Sequence, residues 1–353
     1  MRRAVTGAPV IDSMEEHLKL RTTRPGTPRL EGMARGHAAP GTTEKSVMTP
    51  GAGAPRISIV MPVFNAAPFL AQSIGSALAQ SFDSFELIIL DDGSTDGSQE
   101  AVEALAHDPR IRLAPMGKRQ GPFVLRNRGI DMARGSLIAF LDADDHWHPD
   151  KLARQVAALD AHPEAGLCHT LVQDITEDGQ PIPERLIDMS AFQGDCFRRL
   201  LRLNGIGNSS VVVPKRVFEV VGGFDETFRY RGDWEMWTRI AHRFPVIYLD
   251  APLTFYRLHA NNVSWNHARL RPYALAVVEK YARDYGRESP EIAAEIEETL
   301  TDTYRNFGTA AMVARDFEQA RLDLWTALKR RPGDAKTIVS LAKAYIYPLV
   351  GKR

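Results

Sequence analysis

The strongest constraint on the fold is an alternation of short apolar segments with helical segments in the first half of the chain. Residues 57–63 read ISIVMPV, a run rich in β-branched residues that predicts a strand buried on both faces. The same patterns predict helices at 68–78, 96–107 and 121–135, and strands at 87–90, 111–115 and 136–141. Strands that alternate with helices of this length are typical of βαβ units, so we expect an α/β fold with a mostly parallel sheet.

Carboxylates follow two of the predicted strands. Asp91 and Asp92 end the segment ELIILDD, and Asp142, Asp144 and Asp145 follow SLIAFL. In open α/β sheets ligands bind outside the carboxyl ends of the strands, so these side chains are expected in one crevice. A cation would offset their mutual repulsion, and hard carboxylate oxygens suit Mg²⁺ or Mn²⁺ that also holds phosphates. Taken alone, such an acidic cluster is more often part of a solvated loop, but its place after an apolar strand and the second acidic strand end upstream favour a site.

Two other phosphate-binding folds are excluded by their missing loops. The turn after the first strand reads PVFNAAP, where a dinucleotide-binding fold requires GxGxxG. The later GIGNSS at 205–210 lacks the third glycine and precedes a predicted strand, and no GxxxxGK[ST] motif occurs.

The amino-acid composition limits which kinds of partner and which cellular location are expected. The chain has 353 residues with 44 basic and 44 acidic side chains, so no net charge favours nucleic acid. Cys168 and Cys196 lack metal-ligand spacing, and no apolar run reaches the 18 residues of a membrane span. We therefore expect a cytoplasmic protein. The predicted domains are a disordered leader rich in Gly, Pro and Thr (1–54), a sheet domain (55–267) and a helical extension (268–353).

Four segments in this order resemble glycosyltransferase family 2 over residues 56–265: ISIVMPVFNAAPFL, ELIILDDGSTDGS, RNRGIDMARGSLIAFLDADD and VVGGFDETFRYRGDWEMWTRIA. The resemblance implies the GT-A fold and an inverting transfer of sugar from a nucleoside diphosphate sugar, UDP being the expected nucleotide. It also implies Mn²⁺ or Mg²⁺ as cofactor and a glycan, lipid-linked or protein acceptor in surface polysaccharide synthesis.

The resemblance also implies a nucleotide-sugar site. In the family pattern Asp92 matches the residue that binds the base and Asp91 supports its turn, while core packing is an alternative for Phe64 and surface exposure for Arg126. The full implied set is Pro62, Phe64, Asn65, Asp91, Asp92, Arg126, Asn127, Asp142, Ala143 and Asp145.

The metal ligands and the base follow from the same resemblance. Asp144 and Asp142 match the DxD positions, and His259 in YRLH matches a histidine near the metal, with a purely structural role as the alternative. Asp233 matches the catalytic base, although the usual ED pair is here Gly232 and Asp233, which leaves Glu235 as a substitute. Asp233 is alternatively the N-cap of the following helix.

Several further expectations concern flanking residues. His146 and His148 fit loop positions better than a zinc site, and Trp234 and Trp237 fit core packing better than an acceptor pocket. Residues 304–345 resemble part of a tetratricopeptide repeat, a possible protein-binding surface, and AYIYPLVGKR suggests peripheral membrane contact. A catalytically silent sugar-nucleotide binder or scaffold and a nucleotidyltransferase are the alternative functions.

Overall fold

The computed structural model describes residues 54–115, 117–183, 188–260, 262 and 266–350, so the predicted leader up to residue 53 lies outside the described residues. Its centre is an eight-stranded sheet with the order β3-β2-β1-β4-β7-β6-β8-β5. The strands are β1 (Ile57–Val63), β2 (Phe85–Asp91), β3 (Ile111–Pro115), β4 (Leu137–Phe140), β5 (His146–Trp147), β6 (Leu167–Ile175), β7 (Val212–Pro214) and β8 (Val246–Arg257).

The first four strands form the parallel half of the sheet. Strand β1 lies between β2 and β4, with Ile57 opposite both Phe85 and Leu137. Alternate side chains of β1 enter two different apolar cores, Val60 on one face and Ile59 on the other. Helices cover both faces of this half, which explains why its strands are continuous apolar runs and confirms the predicted α/β class.

The second half of the sheet is mostly antiparallel. Strand β7 runs antiparallel to both β4 and β6, and β5 runs antiparallel to β8, while β6 and β8 are parallel. The pairing of β6 with β8 shifts register between Thr170 and Val172. His146 belongs to β5 and pairs with Phe255, so the loop prediction for this residue was wrong.

Eleven α-helices and two short 3-10 helices, Met189–Phe192 and Asn208–Ser210, are found in the described part of the chain. The bounds of the α-helices are α1 (Ala67–Leu78), α2 (Ser98–Leu105), α3 (Pro122–Met132), α4 (Lys151–Ala161), α5 (Phe197–Arg202), α6 (Lys215–Val221), α7 (Gly232–Ala241), α8 (His267–Asp284), α9 (Pro290–Val313), α10 (Phe317–Arg330) and α11 (Ala335–Val350). Helix α2 is shorter than predicted, because Asp96 accepts hydrogen bonds from the Ser98 and Ala67 amides instead of continuing the helix.

The C-terminal helices attach to the sheet in two ways. Tyr281 of α8 is buried in the same core cluster as β4 and donates from its hydroxyl to Thr238 Oγ1 at 2.8 Å. Helices α10 and α11 instead form a separate small cluster around Leu324 and Leu341, against which Ala311 and Met312 of α9 pack. Their resemblance to a tetratricopeptide repeat stays a prediction. None of the described helices is long and apolar enough to cross a membrane.

Candidate active site

The candidate site lies where β1, β2 and β4 end. Val63 and Asp91 are paired in neighbouring strands, and the segment that follows Phe140 carries the DxD carboxylates. The parallel arrangement therefore brings both acidic segments to one edge of the sheet, as the sequence predicts.

Asp142 is held by residues from two different elements. Its Oδ1 accepts hydrogen bonds from Arg126 of α3 at 2.5 Å and from the Asn208 side chain at 3.0 Å, and its amide donates to Ser209 Oγ at 3.0 Å. Burial raises the pKa of Asp142, the Arg126 guanidinium opposes this shift, and the charges of Asp144 and Asp233 add to it. These four side chains therefore act on one another electrostatically.

Asp144 and His259 form the best candidate metal site. The Asp144 Oδ2 and His259 Nε2 atoms are 3.0 Å apart, and the Asp144 side chain is 30% exposed. Adjacent ligands of an octahedral cation with bonds of about 2.1 Å lie about 3.0 Å apart, so this pair fits two corners of a Mg²⁺ or Mn²⁺ site. No group of three or more His, Cys, Asp or Glu side chains in the described segments is arranged to hold a metal ion. Diphosphate oxygens and water would complete the coordination.

Asp145 is a buried anchor for the end of β8. Its Oδ2 accepts from Ser209 Oγ at 2.5 Å and its Oδ1 accepts from the Arg257 amide at 3.1 Å. Burial, with the neighbouring Asp144 and Asp142 charges, raises the pKa of Asp145 well above its usual range. Asp145 therefore has a structural role: it fixes the end of β8 next to the DxD turn.

Arg257 was missed by the sequence reasoning. The residue is 3% exposed, and its guanidinium donates to the Asp144 carbonyl at 3.0 Å, the Glu177 carbonyl at 2.7 Å and Gln72 Oε1 at 2.5 Å. It therefore ties the DxD turn to α1 and to the loop after β6. Burial, with a smaller contribution from the Arg257 charge, lowers the pKa of His146 to about 4, so this histidine is neutral near pH 7.

The predicted nucleoside-binding residues line the turns after β1 and β2. Asp92 is buried and accepts from the amides of Gln120 at 2.6 Å and Gly121 at 2.9 Å. Phe64 is half-buried, with the Arg119 guanidinium 3.8 Å from its ring centre, so it does not pack as a core residue.

The neighbouring turn residues fix the loop. Asn65 adopts a positive φ of 50° and accepts from the Thr95 amide at 2.9 Å, while Asp91 accepts from the Ser94 amide at 3.2 Å. Pro62 pairs with Leu90 at the end of β1, and Ala143 is buried in the core beneath the site.

The side chains of Arg126 and Asn127 point to different parts of the structure. Arg126 is 6% exposed and faces Asp142, so the alternative of a surface residue was wrong. Asn127 faces away, accepts from the Phe224 amide at 2.7 Å and donates to the Phe224 carbonyl at 2.9 Å. It holds the loop that leads towards α7.

Asp233 lies in the first turn of α7, beside the acidic cluster. Asp233 Oδ2 is 3.4 Å from the side-chain Nδ2 of Asn204. The charge of Asp233 contributes to the raised pKa of Asp142. The N-cap of α7 is Arg231 with a φ of 64°, so the alternative that Asp233 caps this helix was wrong. Glu235 is 1% exposed and pairs with Arg239 at 2.7 Å, so it does not share the position of Asp233.

The two tryptophans of α7 belong to the core. Trp234 donates to the Leu200 carbonyl at 2.6 Å, and Trp237 is fully buried against Phe140 and Phe224. This confirms core packing for both residues.

Burial lowers the pKa of the Arg231 guanidinium, and the nearby Asp233 charge opposes this shift.

Sequence comparisons find a matching family model and several similar proteins. The model described as glycosyl transferase family 2 matches residues 58–242. An uncharacterized glycosyltransferase of Rickettsia felis is 32% identical over 203 residues, which is 58% of this chain and 33% of that protein. TuaG of Bacillus subtilis, named for teichuronic acid biosynthesis, is 28% identical over 60% of this chain and 82% of its own length. The chain spans about a third of the length of the curated relatives it matches first.

Solved structures share the fold. S. aureus TarS 1-349 in complex with UDP-GlcNAc aligns with a TM-score of 0.61 and 14% identity, over 84% of this chain and 92% of that one. The mannosyltransferase PcManGT of Pyrobaculum calidifontis, in complex with GDP-Man and Mn²⁺, aligns with a TM-score of 0.55 and 20% identity, over 86% and 89%.

Proposed function

Because the chain belongs to glycosyl transferase family 2, we propose that it transfers a sugar from a nucleoside diphosphate sugar to a hydroxyl group of a glycan or glycoconjugate acceptor. The observation that carries this proposal is the convergence of three groups at one sheet edge. These are the Asp144–His259 pair, the Arg126–Asp142 pair and the carboxylate of Asp233.

Asp233 acts as the general base in this proposal. It accepts the proton of the acceptor hydroxyl while that oxygen forms a bond to C1 of the sugar. The bond between C1 and the diphosphate oxygen breaks on the opposite face, and the nucleoside diphosphate leaves with the electron pair. The sugar is therefore transferred with inversion of its anomeric configuration.

The donor's diphosphate binds beside Asp144 and His259. A Mn²⁺ or Mg²⁺ ion held by these two residues would neutralise the negative charge of the leaving diphosphate. The nucleoside occupies the turns after β1 and β2, beside Phe64 and Asp92. We propose UDP as the nucleotide, in keeping with the sugar nucleotide in the TarS complex, while the PcManGT complex makes GDP the competing choice.

The acceptor is proposed to be a growing surface polysaccharide, in keeping with the name of TuaG. We place the protein in the cytoplasm, with a peripheral contact at the inner face of the membrane. Helix α11 offers exposed Tyr345, Ile346 and Tyr347 for such a contact or for a protein partner.

Calorimetric titration with UDP, GDP and CDP, with and without Mn²⁺, tests the donor site. We expect one nucleotide to bind in a Mn²⁺-dependent way and Asp144→Asn to weaken that binding by roughly tenfold or more, since the variant removes an anionic ligand. Asp160→Asn is the matched control, because Asp160 pairs with Arg56 on the surface. If the wild-type protein binds none of the three nucleotides, the proposal fails.

A further inference from the structure

Unpartnered polar atoms are concentrated beside the Asp142 and Asp233 carboxylates. In the part of the chain that the structure describes, six buried side-chain nitrogen or oxygen atoms lack a hydrogen-bond partner. Four of them belong to residues that contact or electrostatically influence these two carboxylates: Arg126 Nε, Asn204 Oδ1, Asn208 Oδ1 and Arg231 Nε. Buried polar atoms are costly without a partner, so such a concentration indicates a place where a ligand supplies the partners.

The two asparagines are oriented by the carboxylates. Asn208 donates from Nδ2 to Asp142 Oδ1 at 3.0 Å, and Asn204 Nδ2 lies 3.4 Å from Asp233 Oδ2. Since each amide nitrogen is used in this way, each amide oxygen is left to accept a hydrogen bond from something else. Asn208 is 8% exposed and Arg126 is 6% exposed, so water in bulk does not solvate them freely.

The loop that carries both asparagines is fixed by packing. A Cβ atom on Gly205 would lie 2.1 Å from the Phe192 ring, so the backbone there is pressed against that ring. On the other side, Ser210 Oγ donates to the Gly207 carbonyl at 2.6 Å. The asparagines are thus presented by a preorganised loop, which lowers the cost of binding a ligand.

The chemistry of these four atoms selects the ligand class. Amide oxygens accept and guanidinium nitrogens donate, and a sugar hydroxyl can do both. Each arginine also has an aspartate near it, Arg126 with Asp142 and Arg231 with Asp233, so no positive charge is left unmatched for an anionic sugar.

We infer that Asn204, Asn208, Arg126 and Arg231 form the subsite for the hydroxyl groups of the transferred sugar, and that this sugar is neutral and not a uronic acid. The inference rests on the proposed function. It assigns donor selection to the loop between α5 and β7, apart from the nucleotide and diphosphate contacts.

The test compares the affinity for a sugar nucleotide with the affinity for the nucleotide alone. Calorimetry on the full chain with Mn²⁺ would use UDP, GDP, UDP-glucose, UDP-galactose, UDP-GlcNAc, GDP-mannose and UDP-glucuronate. We expect one neutral sugar nucleotide to bind more tightly than its nucleoside diphosphate, and UDP-glucuronate to gain nothing over UDP. In Asn204→Ala and Asn208→Ala the gain from the sugar should fall by roughly three- to tenfold, the value of one or two hydrogen bonds.

Affinity for the nucleoside diphosphate alone should stay within about twofold of wild type in both variants. Asn306→Ala in α9 is the matched control and should change neither affinity. Thermal unfolding checks the fold, and Asn204→Ala decides the result if Asn208→Ala is unstable, because Asn204 is the more exposed of the two.

Three outcomes would overturn the subsite. Equal weakening of the diphosphate and the sugar nucleotide would mean that the asparagines act on the diphosphate, and unchanged affinities would mean that they bind no sugar. A preference for UDP-glucuronate would contradict the neutral class. In each of these cases nucleotide binding itself, and with it the proposed function, would stand. Failure of the wild type to bind any nucleotide would remove both.

Discussion

At the scale of single residues, the four carboxylates in and beside the DxD turn fall into two pairs: two accept short hydrogen bonds within the protein, and two have side-chain oxygens with few partners. Asp142 and Asp145 accept short hydrogen bonds from Arg126 and Ser209. Asp233 has only the long contact with Asn204 in the described residues, and Asp144 meets His259 alone through its side chain. Proton transfer and metal binding need a carboxylate oxygen that is not already engaged, which favours Asp233 and Asp144 for those roles.

Replacing Asp233 by Asn separates the proposed transferase from a silent sugar-nucleotide binder. The amide cannot accept the proton of the acceptor hydroxyl, so we expect turnover to fall by about 10²–10⁴-fold, the usual contribution of a general base. Nucleotide affinity should be unchanged, because Asp233 does not contact the turns after β1 and β2. Activity is measured as release of nucleoside diphosphate from the donor found by calorimetry.

Glu235→Gln is the control for this variant. Glu235 is paired with Arg239 inside the protein, so its replacement should lower the melting temperature and leave turnover per folded molecule intact. Turnover that survives Asp233→Asn would show that Asp233 is not the base.

The sequence could predict the carboxylates of this site but not the residues that hold them. A carboxylate at a strand end is visible in the sequence, whereas Arg257 meets Gln72 across 185 residues and Glu177 across 80. Such contacts depend on how β8 is placed in the sheet. The helix start was misjudged for a local reason, because Arg231 takes a left-handed conformation and α7 already begins at Gly232.

At the scale of the elements, α3 approaches β1 unusually closely. A Cβ atom on Gly129 would lie 2.3 Å from Val60 Cγ1, which is far inside van der Waals contact. Because α3 also carries Arg126, this close approach sets the distance between the guanidinium and the DxD turn. The glycine is therefore needed both for packing and for the geometry of the site.

Gly129→Ala should destabilise the protein by about 1–3 kcal/mol, because the added methyl group overpacks a closed interface. Gly75→Ala is a matched control: Gly75 is an exposed helical residue of α1 with no atom near its Cβ position. There the better helix propensity of alanine should stabilise the protein by about 0.5–1 kcal/mol. Denaturant unfolding measures both, and equal effects of the two substitutions would contradict the close packing of α3.

How well a strand can be predicted from the sequence depends on whether its position is set by a local pattern or by partners far along the chain. Strands β1 and β3 were predicted to the residue, since a continuous apolar run followed by a turn is a local signal. The register and order of β6, β7 and β8 depend on partners far along the chain, with β7 inserted between β4 and β6. No local pattern specifies such an arrangement.

At the scale of the whole molecule, the helical extension is only partly separate from the sheet. Helices α8 and α9 contribute Tyr281 and Leu300 to the same core as Phe140, so they are needed for the sheet's own packing. Helix α10 packs along α9, where a Cβ atom on Gly308 would lie 2.7 Å from Leu324 Cγ, and it is also tied to α8 by the pair between Arg271 and Asp323. The acidic partner of this pair is fully buried.

Arg271→Met tests how strongly this pair holds α10 in place. Among the described residues, it leaves the buried Asp323 carboxylate with Gln319 as its one donor, at 3.1 Å, and we expect a loss of about 3–5 kcal/mol in unfolding free energy. Arg198→Met is the control, because Arg198 pairs with Glu295 while 59% exposed, and such surface pairs contribute at most about 1 kcal/mol. The double variant Arg271→Met with Asp323→Leu removes the uncompensated charge and should recover most of the loss. Nucleotide binding by the folded protein should persist in all three variants, since α10 does not contact the donor site; a loss of binding in Arg271→Met alone would instead couple the helical extension to catalysis.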